Sequence, residues 1–445
     1  MLAIFFTDGG IGDFFHLIIF STVIDYFIGL GLSRNNSIFK RKFLLFISIF
    51  VNLGFLGFFK YFNFFIDSFH SAFMFFGFSF SDYSLKIILP VGISFYTFQT
   101  LSYTIDVYKG KLKATTDFIS FSAFVSFFPQ LVAGPIERAT NLLPQFQRKR
   151  QFNYDNSVDG MRQILWGFFK KIVIADNCAV FANYAFENYN ILNASTLILG
   201  AIFFAFQIYC DFSGYSDIAI GVSRLFGFNL MKNFAFPYFS RDIAEFWRRW
   251  HISLSSWFRD YLYIPLGGSR GGNKIRNTFI IFVVSGFWHG ANWTFIAWGA
   301  INAIYFLPLL LTNNNRTNMN IVAHNKYLPS INEFLQIIST FTLTTIAWIF
   351  FRSDSIYDSF GYLSRIFKSS IFNAPNFENT ELALTTILLV LLFIMIEWIG
   401  RENEYAISKI GLKWNRLLRF LFYYIIIISM FYFGRSEQQF IYFQF

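Results

Sequence analysis

Two histidines give the strongest chemical signal in this sequence. His251 ends the run Glu245-Phe-Trp-Arg-Arg-Trp-His251, and His289 lies within Phe287-Trp-His-Gly-Ala-Asn-Trp293. His289 follows the apolar run 278–288, in which an imidazole is unexpected and an ionisable group indicates a functional site. Burial favours the neutral, basic form of an imidazole, whose ordinary pKa is about 6.5, so His289 can be the general base for a hydroxyl that attacks a carbonyl. A core histidine with both ring nitrogens hydrogen-bonded is the alternative.

Other patterns of catalytic residues are weak or missing from the sequence. No HExxH or CxxC spacing predicts a metal site, and no GxSxG predicts a serine nucleophile. Cys178 and Cys210 lie in or beside apolar runs, so we expect two small core residues. The glycine-rich stretch 267–272 matches neither a Walker A nor a dinucleotide motif, and we interpret it as a flexible cytoplasmic turn.

The elements that carry these histidines belong to a membrane protein. Among the 445 residues, 55% are hydrophobic, 22% are aromatic and only 14% are charged, whereas soluble domains carry about a quarter charged residues. The 36 Lys and Arg exceed the 26 Asp and Glu, but the basic residues cluster in loops between apolar runs. We therefore expect a bilayer as the surroundings and no nucleic-acid partner.

Apolar runs predict about ten membrane crossings. The runs are 14–32, 43–66, 87–107, 164–181, 197–221, 278–288, 293–311, 333–351, 382–399 and 417–433. The run 118–133 is short, and we favour a re-entrant segment because basic loops flank it. The positive-inside rule then places His251 near the cytoplasm, His289 farther out, and the last residues outside.

Polar groups inside these segments need partners. Asp211 and Asp217 lie in an otherwise apolar run, and exposure of either carboxylate to lipid would be costly. They either line a cavity, together with Asn292, or anchor the nearby arginines as internal ion pairs. The basic stretch 224–276 is interpreted as amphipathic or re-entrant helices at the cytoplasmic face, with an interfacial Trp and Arg anchor as the alternative.

Five motifs resemble the membrane-bound O-acyltransferase (MBOAT) family. They are 129–136, 209–221, 246–255, 259–268 and 287–293. The match is closest to the bacterial branch that includes the alginate and peptidoglycan O-acetyltransferases and the D-alanyl transfer protein of teichoic acid. The resemblance implies an all-α polytopic membrane protein with a funnel or tunnel, forming one domain over 1–445, with core motifs at 118–311, helices over 333–434 and a tail over 435–445. Relatives usually carry a further hydrophobic segment before Phe14, so we expect a shortened or misassigned start.

The resemblance also implies an activity. His289 matches the family's invariant histidine and is the expected base, and His251 matches its second polar position. The expected reaction moves an acyl group, preferably acetyl, from a cytoplasmic thioester to an exported polysaccharide that is alginate-like or peptidoglycan. The thioester, acetyl-coenzyme A or an acylated carrier protein, is a co-substrate, and no bound cofactor is expected. D-alanyl transfer, a lipid or protein acyltransferase and a transporter remain alternatives.

Further predictions concern the donor and the partners. Arg248, Arg249 and Arg259, with Trp250, are expected to guide the anionic donor from the cytoplasmic side. The expected location is the bacterial inner membrane, with a periplasmic or extracellular esterase-like acyltransferase as partner.

The ending 440–445 resembles the terminal motif of small partner peptides in D-alanine export. The resemblance implies that Tyr442 carries the acyl group as a relay, after His289 removes its phenolic proton. An aryl ester suits this task because a phenol, with a pKa of about 10, is a better leaving group than an aliphatic alcohol. An aromatic anchor in the outer interface is the alternative.

Overall fold

Helices make up the regular structure of the protein. The computed structural model describes residues 11–77, 85, 87–90, 92–269, 271–434 and 438–441, with the backbone alone over 11–15. These described residues contain no strand, so the predicted all-α class is confirmed. Two compact units are present, Met1–Phe152 with Gly227–Met231, and Asn153–Phe226 with Lys232–Phe445. The expectation of one domain stays a prediction.

The first unit contains seven of the described helices. They are α1 Ile11–Arg34, α2 Ile38–Leu56, α3 Phe62–Phe75, α4 Ile93–Tyr108, α5 Phe118–Val125, α6 Phe128–Leu131 and α7 Ala139–Phe146. A π-helical turn, Gly57–Tyr61, joins α2 to α3 without a break. With 8 residues, α5 is only about 12 Å long and too short to cross a bilayer. This length agrees with the re-entrant interpretation, which stays a prediction.

A buried polar cluster joins α1, α2 and α4 in this unit. Ser48 Oγ donates to Asp25 Oδ1 at 2.6 Å, and Asn52 Nδ2 donates to Asp25 Oδ2 at 2.8 Å. From α4, Thr100 Oγ1 donates to Asn52 Oδ1 at 3.0 Å. In a bilayer, apolar side chains gain little by moving from lipid to protein. Hydrogen bonds of this kind therefore help to hold the helices together.

The second unit contains the other helices of the described chain. Its helices are α8 Tyr154–Phe169, α9 Asp176–Glu187, α10 Ala194–Leu225, α11 Ile243–Arg249, α12 Ile252–Phe258, α13 Lys274–His289, α14 Trp293–Leu311, α15 Ile331–Arg352, α16 Ile356–Ile366, α17 Thr380–Gly400 and α18 Arg416–Phe433. The π-helical segment Lys170–Ala175 joins α8 to α9, and another, Arg259–Tyr263, follows α12. Such π-helical turns are frequent at functional sites.

Glycines set the close approach of α8 and α10. A Cβ atom added to Gly167 would lie 2.6 Å from the Gly214 carbonyl oxygen, and one added to Gly221 would lie 2.5 Å from that of Gly160. Both distances are far below ordinary contact, so only glycine permits this crossing. The crossing brings the π-helical segment after α8 against the acidic face of α10.

Seven helices of the described chain are long and apolar enough to cross a membrane. They are His16–Arg34, Ile38–Phe75, Ala194–Leu225, Trp293–Leu311, Ile331–Arg352, Thr380–Gly400 and Arg416–Phe433. The protein is therefore a multi-pass membrane protein, and seven of the predicted crossings have a matching helix. The other three predicted runs fall on α4 and α13, which have 16 residues each, and on the charged α8–α9 pair.

Candidate active site

A tight hairpin of α13 and α14 sets the position of His289. Asn292 begins α14, because its Oδ1 accepts a hydrogen bond from the Thr294 N–H at 3.0 Å. The helices then cross at two glycines. A Cβ atom on Gly286 would lie 2.2 Å from the Phe295 carbonyl oxygen, and one on Gly299 would lie 2.3 Å from that of Phe282. The hairpin thus holds His289, the last residue of α13, at the buried end of a closely packed helix pair.

His289 is enclosed by three aromatic rings, which we call the aromatic cage. The ring centroids of Trp288, Trp298 and Phe351 lie 5.0, 5.4 and 5.3 Å from that of the imidazole. Only 6% of His289 is exposed. The cage therefore places a basic nitrogen-containing ring where little bulk water can reach it.

His251 lies in a strained and well-braced turn between α11 and α12. Its φ of +43° is in the left-handed region, which costs a non-glycine residue about 1 kcal/mol or more. Asn233 braces this turn: its carbonyl oxygen accepts from the Ile252 N–H at 2.9 Å, and its Oδ1 accepts from Ser253 Oγ at 2.6 Å. Strained residues that are held in this way are concentrated at functional sites.

The structure brings the two histidines together. Their ring centroids lie 6.3 Å apart, and the ring of Trp288 lies 6.1 Å from that of His251. His251 belongs to a buried turn, 1% exposed, and this turn places its ring close to that of His289. The predicted topology, with His251 near the cytoplasm and His289 farther out, stays a prediction.

The environment of His251 fixes its protonation. Burial lowers its pKa from the ordinary 6.5 to about 3, because the charged imidazolium loses its hydration. The ring of Phe212, at 4.7 Å, forms an apolar wall on one side. His251 is therefore neutral at physiological pH and has one N–H that can donate to a reacting group.

Asp211 and Asp217 are buried ion-pair partners. Lys170 Nζ lies 2.6 Å from Asp217 Oδ2, and Lys171 Nζ lies 2.9 Å from Asp211 Oδ1. Of the two alternatives, internal ion pairs are therefore observed, although the cations are lysines of the π-helical segment and not arginines. Asn292, the third predicted tunnel group, caps α14 and donates to the Asp354 carbonyl oxygen at 2.9 Å.

Three of the four predicted donor-binding residues are buried or half-buried. Arg248 donates to the carbonyl oxygens of Asn315 and Asn318, both at 2.8 Å, and Arg249 Nη2 lies 2.8 Å from the buried Glu245 Oε1. Trp250 is 2% exposed and belongs to the core.

Arg259 is the exposed member of this set. Its side chain is 63% exposed and pairs with Asp260 at 2.8 Å. The donor-binding role of all four residues stays a prediction.

A cavity of about 480 Å³ is lined in part by Trp247, whose ring contacts Trp298 of the aromatic cage; we call it the donor cavity, after the role proposed for it below. Exposed Lys274 and Arg316 line its outer part, whereas buried Ser285 lines its inner part. Ser285 lies one helical turn before His289 on the same face of α13. The cavity therefore extends along α13 from an exposed cationic end to within one helical turn of His289.

The segment 438–441 also reaches the interior of the second unit. The Ile441 N–H donates to Asp211 Oδ2 at 2.8 Å, and Ile441 is fully buried. Tyr442, predicted to be the relay, lies outside the described residues, so its role stays a prediction.

Several residues of the site were missed or left unassigned by sequence reasoning. They are Asn233, Trp298, Phe351 and Arg316. For Lys170 and Lys171 the signal was visible, because two lysines inside an apolar run require buried anions. The others have no local signal, since their role depends on contacts with distant segments.

Comparison with known proteins identifies the family of this chain. The model of MBOAT, the membrane-bound O-acyltransferase family, matches residues 111–351. The probable alginate O-acetylase AlgI of Pseudomonas putida is 37% identical over 97% of this chain and 91% of its own length. The peptidoglycan O-acetyltransferase of Helicobacter pylori is 37% identical over 76% of this chain and 67% of its own length. The teichoic acid D-alanyltransferase of Streptococcus thermophilus is 34% identical over 48% of this chain and 55% of its own length. With a buried histidine pair beside a cavity, and with the family's model matched over more than half of its length, this chain belongs to the membrane-bound O-acyltransferase family and is an O-acyltransferase.

Proposed function

We propose that this enzyme moves an acetyl group from a cytoplasmic thioester across the bacterial inner membrane, for O-acetylation of an exported polysaccharide of the alginate or peptidoglycan kind. The observation that carries the proposal is the buried pair His289 and His251, of which His289 lies one helical turn from Ser285 in the donor cavity. The relatives support acetyl over D-alanyl, because the alginate O-acetylase matches 97% of the chain and the D-alanyltransferase only 48%.

The donor cavity fits an anionic thioester. Lys274 and Arg316 line its outer part, and both cations attract the phosphates of acetyl-coenzyme A or of a carrier protein's prosthetic group. The inner part is lined by the apolar ring of Phe282 and by Ser285, so it suits a small acyl group. Arg248 contributes indirectly, since it holds the carbonyl oxygen of Asn315, another residue of the cavity wall.

The histidines supply the chemistry. His289 removes the proton of the acceptor hydroxyl while that oxygen attacks the thioester carbonyl carbon. The carbon–sulfur bond then breaks, and the proton passes from His289 to the leaving thiolate. Neutral His251 donates its N–H to the oxyanion that develops on the carbonyl. The aromatic cage excludes water, which would otherwise hydrolyse the thioester.

The first acceptor in this proposal is the phenol of Tyr442, which then passes the acetyl group to an esterase-like partner outside the membrane. The support is the described segment that precedes it: Ile441 is buried against Asp211, and the neighbouring Phe212 contacts the ring of His251. The chain thus approaches the histidines directly before this tyrosine in the sequence.

Replacement of His289 tests the function. His289→Gln removes the base and retains a similar volume, so O-acetylation of the polysaccharide should fall by about 10²- to 10⁴-fold. His324→Gln is the matched control, because the His324 side chain is 59% exposed and lies outside the site. The measurement is the O-acetyl content of the polymer, normalised to the amount of enzyme in the membrane. Wild-type acetylation by His289→Gln would remove His289 from the mechanism.

A further inference from the structure

A buried ion-pair cluster holds the segment 438–441. Lys171 Nζ lies 2.8 Å from Asp176 Oδ1 and 2.9 Å from Asp211 Oδ1. The other carboxylate oxygen of Asp211 accepts the Ile441 N–H at 2.8 Å, and Lys171 Nζ donates to the Gln438 carbonyl oxygen at 3.2 Å. One ion pair therefore contacts both ends of the segment.

The charges of this cluster favour such a contact. Lys171 carries one positive charge and faces two carboxylates, those of Asp176 and Asp211, which leaves an excess of one negative charge. Asp211 is 2% exposed, so water does little to hydrate its second oxygen. A backbone N–H supplies the missing donor, and hydrogen bonds to a charged acceptor are among the stronger ones in proteins.

Apolar packing completes the contact. The ring of Phe440 lies 5.4 Å from that of Tyr215, one helical turn after Asp211 on α10, and Ile441 is fully buried. Upstream, Asn177 Nδ2 donates to the carbonyl oxygen of Phe433 at 2.9 Å, where α18 ends. Phe433 is thus attached to α9, and Phe440 and Ile441 to α10.

The cluster is also close to the histidines. Phe212, which follows Asp211 on α10, is fully buried and lies 4.7 Å from the ring of His251. His251 in turn lies 6.3 Å from His289. Phe212 therefore connects Asp211, which holds the 438–441 segment, to His251 of the proposed catalytic pair.

We propose that Lys171 and Asp211 form a dock for the 438–441 segment and thereby position the following residue, Tyr442, for acyl transfer. This inference rests on the proposed function, in which Tyr442 is the first acceptor. Lys171 and Asp211 are positioning residues, because they act on the segment and not on the thioester. The dock recognises the backbone at 438 and 441, so it depends little on the side chains there.

Cross-linking across the dock tests the proposal. In an enzyme with Cys178→Ala and Cys210→Ala, the changes Tyr215→Cys and Phe440→Cys place thiols where the two rings are in contact. A short membrane-permeant bismaleimide, which adds one thiol to each of its two rings, should join them in high yield. The same enzyme with Asp211→Leu should cross-link roughly 10- to 100-fold more slowly, since the charged acceptor for Ile441 is lost.

Asp211→Leu leaves Lys170 paired with Asp217, so the contact between the π-helical segment and α10 retains an ion pair. Asp211→Asn is the milder second variant, because its amide oxygen still accepts from Ile441 while the charge is lost. Asp217→Asn is the matched control. Asp217 pairs with Lys170, and within the described part of the chain it has no hydrogen bond or ion pair with the segment 438–441. The control should cross-link at the rate of the parent enzyme.

Activity after tethering separates positioning from a structural role. Polysaccharide acetylation should be lost in Asp211→Leu and restored once the cross-link holds residue 440 against position 215. Normal cross-linking in both Asp211 variants would overturn the dock. Activity that stays lost after complete cross-linking would overturn the positioning role. Slower cross-linking with undiminished acetylation would leave the dock intact and instead refute Tyr442 as acceptor in the proposed function.

Discussion

The close crossing of α13 and α14 predicts a strong effect from one added methyl group. In Gly286→Ala the new Cβ atom would lie 2.2 Å from the Phe295 carbonyl oxygen, whereas ordinary contact begins at 3.4 Å. The two helices must therefore separate by about 1.2 Å, which moves His289 relative to Trp298 of the aromatic cage. A misplacement of about 1 Å at a reacting group can reduce a rate about 100-fold. We expect polysaccharide acetylation to fall by about that factor.

The control for this change is Gly54→Ala on α2. A Cβ atom on Gly54 would have nothing within 4 Å, and both glycines lie inside helices. Each substitution therefore gains the same helix propensity, about 1 kcal/mol, and only Gly286→Ala adds a clash. Gly299→Ala repeats the perturbation from the other helix, since its Cβ atom would lie 2.3 Å from the Phe282 carbonyl oxygen.

The assay measures polymer O-acetyl content against the amount of folded enzyme, judged by gel filtration and the unfolding midpoint. Overpacking of this kind also costs about 1–3 kcal/mol of stability, so a lower midpoint should accompany the loss. Gly286→Ala and Gly299→Ala with the activity of Gly54→Ala would refute the view that this crossing sets the position of His289.

Four further predictions follow from the site. Tyr442→Phe keeps the aromatic bulk and removes one oxygen, so the relay predicts no acetylation, and normal acetylation would leave only the interface anchor. Lys274→Gln should raise the KM for acetyl-coenzyme A by roughly two- to fivefold at low salt, with little change in kcat, whereas exposed Lys409→Gln should leave KM unchanged. Because burial lowers the pKa of His251 to about 3, its contribution to stability is full above pH 6.5 and is lost as pH falls toward 3; the unfolding midpoint of His251→Gln should therefore depend less on pH in this range than that of the wild type. A cysteine at Ser269 should react with an impermeant thiol reagent from the cytoplasmic side alone, and labelling of intact cells would overturn the predicted topology.

The fold class and the main catalytic candidate were accessible from the sequence because their signals are local. Apolar runs of membrane-spanning length need no knowledge of partners, and seven of them match helices of that length. His289 was conspicuous for the same reason, since it directly follows the apolar run 278–288. Asn273 and Asn292, which cap α13 and α14, are helix-start signals of the usual kind.

The remaining features depend on contacts that no local pattern contains. Phe351 closes the aromatic cage from α15, and the turn of His251 requires a left-handed backbone that a histidine rarely adopts. In the ion-pair alternative, the expected partners of Asp211 and Asp217 were arginines, because these are the nearest basic residues in the basic stretch that follows. Lysines take that place because the glycine crossing of α8 and α10 brings a different segment against the carboxylates.

The burial of His251 limits the part that it can take in the reaction. A general base works best when its pKa is near the working pH, because it must both be deprotonated and hold the proton it takes. His251, with a pKa of about 3, would bind that proton roughly 10⁴-fold too weakly at neutral pH, although its N–H remains a good donor. The same burial that disqualifies His251 as a base makes it suitable for an oxyanion, whose negative charge is strongly stabilised by a fixed donor in a dry site. The proposed mechanism therefore assigns the oxyanion contact to His251 and proton transfer to His289.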